Sequence, residues 1–250
     1  MVDQPLAHEQ RGAALDRVAA DRAVLFKTGV KEICARHGVL PTFMAKWSKQ
    51  LPGSSGHLHQ SLWDMDKKRN LFADRSEPHR MSAIARNYLG GQLSLMAKWM
   101  ALIAPTINSY KRMVPGVWAP TKVSWGVDNR TVAIRWIASG DSASRFEHRL
   151  AAADANPYLA IAASIASGLW GIEHKIEPPE PVVGSAYGQE LESLPGSLAD
   201  ASYRFRHCEV ARKIFGDVMV DHFAATRDWE WQQYSQAVTD WELQRYFEII

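Results

Sequence analysis

Two short runs of the sequence carry side chains that could bind a metal ion and a phosphate group. Residues 53–61 read GSSGHLHQS, and residues 145–149 read RFEHR. Side chains alternate between the faces of a β-strand, so His57, His59 and Ser61 would project from the same side of the chain. A neutral imidazole can ligate a divalent cation, and N–H groups of a glycine-rich loop can approach a phosphate closely. An exposed strand with two incidental histidines would show the same spacing.

The second run places a carboxylate between two guanidinium groups. Arg145, Glu147 and Arg149 alternate and would share one face of a strand. A solvated salt-bridge ladder is the alternative, and it would contribute little stability. Three more arginines favour a functional role, namely Arg112, Arg130 and Arg135. Guanidinium groups bind phosphate in bidentate fashion, and a His/Glu pair can hold Mg²⁺ or Mn²⁺. A metal ion beside an arginine cluster is typical of phosphoryl transfer.

Apolar periodicity and turn residues predict the elements that must position these side chains. Helices are predicted over residues 14–37, 81–103, 157–171, 197–216, 217–235 and 241–250. Strands are predicted over residues 39–47, 57–63, 122–127, 131–137 and 145–150. The strands lie too close in sequence for βαβ crossovers, which indicates an α+β fold with an antiparallel sheet flanked by helices. Residues 108–120 form a Pro/Gly-punctuated loop of a length that is usually functional.

Composition limits the class of protein. The chain has 250 residues, of which 46% are hydrophobic, enough for one globular domain. A net charge of +2 and scattered tryptophans do not favour nucleic-acid binding. Cys34 and Cys208 form neither a disulfide framework nor a zinc motif. The sequence shows no signal pattern and no apolar run near the roughly 18 residues that a membrane span needs, so we expect a cytoplasmic protein without membrane contact.

Four motifs together resemble the glutamine synthetase family, in that family's order. They are residues 53–63 (GSSGHLHQSLW), 108–120 (NSYKRMVPGVWAP), 129–135 (NRTVAIR) and 145–159 (RFEHRLAAADANPYL). The resemblance implies that residues 1–250 form a single partial catalytic domain of this type, with a helical C-terminal part from about residue 182. Family members carry a small N-terminal β domain and several metal-binding glutamates ahead of the matched region. The chain is therefore expected to be N-terminally truncated, and the full-length form to be a homo-oligomer.

The resemblance also implies a role for individual residues. The metal ligands would be His57 and Glu147, holding Mg²⁺ or Mn²⁺ at the γ-phosphate of ATP. ATP would contact His59, Ser61, Arg130, Arg135 and Arg145, with Arg130 also catalytic. The substrate would be held by Gly53, Arg112, Trp118 and Arg149. The implied reaction joins ammonia or an organic amine to the γ-carboxylate of glutamate through a γ-glutamyl phosphate, with ATP as co-substrate.

One departure from the family pattern concerns the acceptor. Ammonia-using members have a catalytic glutamate in the substrate flap where this chain has Trp118. A tryptophan cannot accept a proton from ammonium. Trp118 resembles instead the flap of glutamate–amine ligases such as gamma-glutamylpolyamine synthetase, and an indole could pack against an alkyl amine or contact its ammonium group.

Two other functions remain open from the sequence. The chain could be a non-catalytic remnant of the family that binds nucleotide without turnover, because the glutamates of the other metal are missing. It could also be a phosphotransferase of the guanidino-kinase fold, which uses arginines around phosphates but does not account for the HLHQS and ANPYL motifs.

Overall fold

A computed structural model describes residues 5–249, with side chains from residue 17 onward. Its helices are α1 (Pro5–Arg36), α2 (Ala83–Ile103), α3 (Ile107–Lys111), α4 (Pro157–Glu173), α5 (Leu198–Arg206), α6 (Glu209–Phe215), α7 (Asp217–Gln236) and α8 (Asp240–Tyr246). Its strands are β1 (Leu58–Gln60), β2 (Trp125–Val127), β3 (Ile134–Ile137) and β4 (Arg145–His148). Within this described part, no helix is long and apolar enough to cross a bilayer.

The four strands form one sheet in the order β1-β4-β3-β2. The β4 strand pairs antiparallel with β1 and with β3, as predicted. The β2 and β3 strands pair in parallel, so the sheet is mixed rather than wholly antiparallel. The short link between them folds back on itself, because Asp128 adopts a left-handed φ of 49° and the Asn129 side chain accepts a hydrogen bond from the Thr131 N–H at 2.9 Å. The predicted α+β class is confirmed. The prediction of an antiparallel sheet is wrong for one pair of strands, β2 and β3.

The strand predicted over residues 39–47 is also wrong. This segment is irregular, and Leu40 within it is 95% exposed. The backbone N–H and C=O of Lys46 bond to the side chain of Asn108, each at 2.7 Å, rather than to a neighbouring strand. The apolar residues of this segment fit a strand pattern. Among the described residues, however, no strand forms backbone hydrogen bonds with it as a sheet partner.

Other boundaries differ by short local features. Residues 108–111, predicted as the start of the loop 108–120, lie in α3, because Thr106 and Ser109 build a capping box at the start of this helix. The helix predicted over residues 197–216 is divided into α5 and α6 at His207–Cys208. The α4 helix begins after Asn156, whose side chain caps it, as predicted.

The core lies between one face of the sheet and the helices α2 and α4. Phe146 and Trp136 of the sheet are fully buried there. The α2 and α4 helices approach closely at glycines: a Cβ on Gly91 would lie 2.1 Å from the carbonyl oxygen of Ser167. The close packing predicted at Gly90 and Gly91 is therefore confirmed. Since alternate strand residues fill this core, the residues between them must face the other side of the sheet.

Candidate active site

A row of charged side chains crosses the outer face of the sheet. Glu147 on β4 lies opposite His59 on β1 and opposite Arg135 on β3. Its neighbour Phe146 points into the core, which leaves Glu147 on the outer face. The two sequence runs that carried the candidate chemistry therefore meet on one surface.

Glu147 is the centre of this cluster. Only 6% of the surface of Glu147 is exposed. One carboxylate oxygen, Oε1, lies 2.9 Å from His57 Nδ1 and accepts a hydrogen bond from Arg149 Nη1 at 2.8 Å. The other, Oε2, accepts from Arg135 Nη1 at 3.2 Å. Burial by itself raises the pKa of Glu147, but the positive charges of Arg149 and Arg135 and the contact with His57 outweigh burial and lower it. The carboxylate is therefore ionised at neutral pH.

The imidazole of His57 is neutral in this setting. Burial, reinforced by the charge of Arg149, lowers the pKa of His57 to about 4. A neutral imidazole beside an ionised carboxylate suits a divalent cation, which would take further oxygen ligands from water and phosphate. In the part of the chain that the structure describes, no third His, Cys, Asp or Glu joins this pair to form a larger ligand group.

The arginines around Glu147 have donors left for an anion. The Nε groups of Arg135 and Arg149 are buried and lack a hydrogen-bond acceptor among the described residues. A buried donor without an acceptor costs about 1–3 kcal/mol, so a phosphate or carboxylate oxygen at these positions would be stabilised. Burial lowers the pKa of Arg149, and the charges of Arg135 and of the exposed Arg130 act in the same direction. Arg130 therefore belongs to the same electrostatic cluster.

Arg112 and Gly53 pack against each other beside the residues that follow β4. Arg112 is 4% exposed and donates to the carbonyl oxygens of Leu150 at 2.9 Å and Arg149 at 2.8 Å. A Cβ on Gly53 would lie 2.7 Å from Cγ of Arg112 and equally close to the carbonyl oxygen of Ala45. Gly53 is thus required sterically, and Arg112 is held to the backbone rather than open to solvent.

Three predicted ATP contacts lie toward the other end of β1. Arg145 Nε donates to His59 Nδ1 at 3.1 Å, which leaves His59 Nε2 as the free ring nitrogen. Burial lowers the pKa of His59, so this ring is neutral. Ser61 accepts a hydrogen bond from the indole of Trp63 at 3.0 Å. Neither His59 nor Ser61 takes part in the His57–Glu147 pair.

The irregular residues 113–119, called the flap below, lie at the edge of the site. Trp118 in the flap has a left-handed φ of 58° and is 63% exposed. Its carbonyl oxygen accepts a hydrogen bond from Arg149 Nη2 at 3.0 Å, which connects the flap directly to the Glu147 cluster. Sequence reasoning missed Tyr187, whose hydroxyl donates to the carbonyl oxygen of Ala119 at 3.1 Å. No periodicity or motif around residue 187 indicated this contact.

Comparisons with known proteins give the family and the fold that this chain matches. The family described as "Glutamine synthetase, catalytic domain" matches residues 13–246. A type-1 glutamine synthetase 2 of Dictyostelium discoideum is 46% identical, over 93% of this chain and 45% of its own length. A glutamate–isopropylamine ligase of a Pseudomonas species is also 46% identical, over 93% of this chain and 51% of its own. The solved structure of GmaS with ADP superposes with a TM-score of 0.84 at 35% identity, covering 93% of this chain and 55% of that one. The chain thus spans about half the length of these relatives.

Proposed function

This chain belongs to the glutamine synthetase family, and on that premise we propose that it is the catalytic portion of an ATP-dependent ligase. The proposed reaction joins ammonia or an organic amine to the γ-carboxylate of glutamate through a γ-glutamyl phosphate. The family match decides against the guanidino-kinase fold that the sequence left open.

The observation that carries this proposal is the cluster centred on Glu147. Transfer of a phosphoryl group to a carboxylate brings two anions together, so catalysis needs fixed positive charge around the transferring group. Arg135 and Arg149 provide that charge, and their unpartnered Nε groups can donate to phosphate or carboxylate oxygens. A Mg²⁺ or Mn²⁺ ion held by His57 and Glu147 would neutralise further negative charge on the γ-phosphate.

The remaining predicted residues have positions that fit their proposed roles. His59, Ser61 and Arg145 lie on or beside the end of the sheet away from the flap and would contact ATP. Arg130 is exposed in the turn between β2 and β3 and would neutralise the transferring phosphate as the catalytic arginine. Glutamate would be held at the flap side of Glu147, by Arg149 and by the backbone around Gly53, with Arg112 supporting the strand end.

Trp118 supports an organic amine as the acceptor. Its indole is exposed, and its backbone is held beside Arg149, so an alkyl chain could pack on its face. We expect Trp118→Ala to lower kcat/KM for alkyl amines about 10-fold, in line with loss of roughly 1–2 kcal/mol of indole contact. The value for ammonia should change little, and an equal loss for both acceptors would contradict a role in amine selection.

The activity is tested by ADP release from the purified chain with ATP, Mn²⁺, glutamate and a panel of amines that includes ammonia and isopropylamine. We expect release that depends on both glutamate and an amine, and its loss in Arg149→Lys, because lysine lacks the planar guanidinium fork with which Arg149 bonds to Glu147 and to the Trp118 carbonyl in fixed geometry. Arg75→Lys, at an exposed ion pair with Asp141, is the matched control. Nucleotide binding without glutamate-dependent turnover would instead support the non-catalytic alternative.

We further propose that residues 1–250 form one partial catalytic domain with a helical C-terminal part from about residue 182. The full-length form is proposed to assemble with copies of itself. Its proposed location is the cytoplasm. Light scattering of the purified chain, compared with that of a longer form carrying an N-terminal half, would test the assembly.

A further inference from the structure

Tyr187 contacts the flap from outside every segment considered above. It lies in the short 3-10 turn Ala186–Gly188, far along the chain from Trp118. Its partly buried side chain donates a hydrogen bond from the hydroxyl to the carbonyl oxygen of Ala119 at 3.1 Å. Burial raises the pKa of Tyr187, and the charge of Arg149 and the backbone N–H groups of Trp118 and Gly116 only partly oppose this shift. The hydroxyl of Tyr187 therefore links this turn to the C-terminal end of the flap.

The flap needs such an external support. Gly116 has φ of 85° and Trp118 has φ of 58°, so two nearby residues adopt the left-handed region. This conformation is unfavourable for a large side chain such as tryptophan and persists only where surrounding contacts impose it. Two side chains from outside the flap hold consecutive carbonyl groups: Arg149 bonds to that of Trp118, and Tyr187 bonds to that of Ala119.

The turn that carries Tyr187 is itself firmly attached to the turn between β2 and β3. The N–H of Ala186 donates to Oγ1 of Thr131 at 3.0 Å. The Asn129 side chain donates to the carbonyl oxygens of Gly184 at 2.7 Å and Val182 at 3.2 Å. Asn129 and Thr131 flank Arg130, so one short segment joins the flap to the turn that carries the exposed arginine.

We propose that Tyr187 is a positioning residue, whose hydroxyl holds the flap in the conformation that keeps the Trp118 indole at the acceptor side of the site. Among the described residues the Tyr187 hydroxyl bonds to the flap and forms no hydrogen bond with Arg135, Arg149, His57 or Glu147, so it acts through the flap. The effect on amine selection rests on the proposed ligase function. The effect on the flap itself does not, and it can be measured without turnover.

Hydrogen–deuterium exchange of the purified chain tests the structural part. Tyr187→Phe removes the hydroxyl and keeps the ring, and we expect exchange of the amides in residues 113–119 to become about 10-fold faster, as loss of one hydrogen bond implies. Residues 134–148 should exchange as in the parent chain. Tyr203→Phe is the control, since Tyr203 on α5 is 65% exposed and its ring lies against that of His207, with ring centroids 4.3 Å apart. Unchanged exchange in the flap, or an equal rise throughout the sheet, would overturn the proposal.

Kinetics test the functional part. Tyr187→Phe should raise KM for an alkyl amine several-fold and leave KM for ATP unchanged, a separation that general destabilisation would not produce. If flap exchange rises but KM for the amine stays at the parent value, Tyr187 does not position Trp118 for the acceptor and the proposal fails. If no variant and no parent chain turns over, the ligase function fails, while the exchange result still decides whether Tyr187 holds the flap.

Discussion

At the scale of single residues, the central feature is an ionised carboxylate that is almost fully buried. Glu147 remains charged because two guanidinium groups and an imidazole surround it. Such a buried cluster gives little net stability, since the attraction mainly offsets the desolvation of the charges. Its arrangement fits the proposed binding of a cation and a phosphate, and substitutions of the two histidines test that proposal.

The first prediction compares His57, which directly precedes β1, with His59 within β1. We expect His57→Ala to weaken Mn²⁺ binding at least about 10-fold, because a direct ligand should matter no less than the outer-shell partners whose loss has that effect. His59→Ala should keep the parent affinity in the absence of nucleotide, because His59 contacts Arg145 rather than Glu147. Isothermal calorimetry with MnCl₂ measures both. Equal affinities for the two variants would refute the metal assignment.

The second prediction concerns a buried histidine on the core side of the sheet. His148 is 2% exposed, and burial lowers its pKa to about 4 from 6.5. The unfolded chain therefore binds more protons between these values, and the contribution of His148 to stability, complete above pH 6.5, is lost as the pH falls toward 4. A tenfold change in proton affinity corresponds to about 1.4 kcal/mol, so the loss should reach about 3 kcal/mol. The pKa of His57 is also lowered to about 4, mainly by burial, so His57 adds to the same loss of stability as the pH falls.

Urea unfolding between pH 7.5 and 4.5 measures this effect. His148→Asn should reduce the fall in unfolding free energy with decreasing pH, because one group that takes up a proton on unfolding has been removed. His222→Asn, at an exposed position on α7, should keep the parent slope. A parent slope in His148→Asn would show that His148 is not the titrating group.

At the scale of elements, the sheet is placed by the α2–α4 pair beneath it. These helices meet backbone to backbone: Gly91 faces Gly171, and a Cβ on Gly171 would lie 2.1 Å from the carbonyl oxygen of Asn87. The face of β4 that bears Phe146 packs on this pair, and Glu147 consequently faces outward. The position of the outer face that bears Glu147 thus depends on how closely two helices can approach.

The third prediction follows from that contact. Gly91→Ala should destabilise the chain by about 3 kcal/mol, because the added methyl group meets backbone atoms that cannot move aside independently. Gly29→Ala on α1 is the matched control, since its Cβ would meet nothing within 4 Å. Alanine there should stabilise the helix by up to about 1 kcal/mol. Urea unfolding of both variants measures the difference, and similar values would contradict a tight α2–α4 interface.

At the scale of the whole molecule, α2 connects the sheet to the C-terminal helices. Trp99 on α2 is 1% exposed, its indole N–H donates to Cys208 Sγ at 3.3 Å, and its ring meets Phe215 edge-on at 5.1 Å. Ser202 on α5 donates to Asp228 on α7 at 2.6 Å. The helices α5, α6 and α7 therefore share a core with the helix on which the sheet packs.

The fourth prediction is that these parts unfold together. Exchange protection of residues 134–148 and of residues 198–236 should disappear at the same urea concentration, as expected of one cooperative unit. Trp99→Leu should lower both midpoints equally, because it weakens the contact that the two parts share. Loss of protection in the C-terminal helices at clearly lower urea would show that they form a separate unit.

Much of the fold followed from local rules. Asn156 and Pro157 started α4 where the capping preference placed it, and the apolar spacing in residues 81–103 predicted α2 nearly to its ends. The same rules failed at residues 39–47, where apolar residues predicted a strand. Strand formation needs a partner, and residues 39–47 carry no information about what lies beside them.

The sequence by itself determined which side chains share a face, the metal-and-phosphate chemistry they suit, and the family they resemble, because alternation along a strand and motif order are properties of the chain alone. Only the tertiary structure decided that His57, from residues 53–61, contacts Glu147, from residues 145–149. It also decided that Tyr187 bonds to the flap and that β3 lies parallel to β2. These contacts join residues distant in sequence, and their geometry is set by the packing of the whole core, which no local pattern encodes.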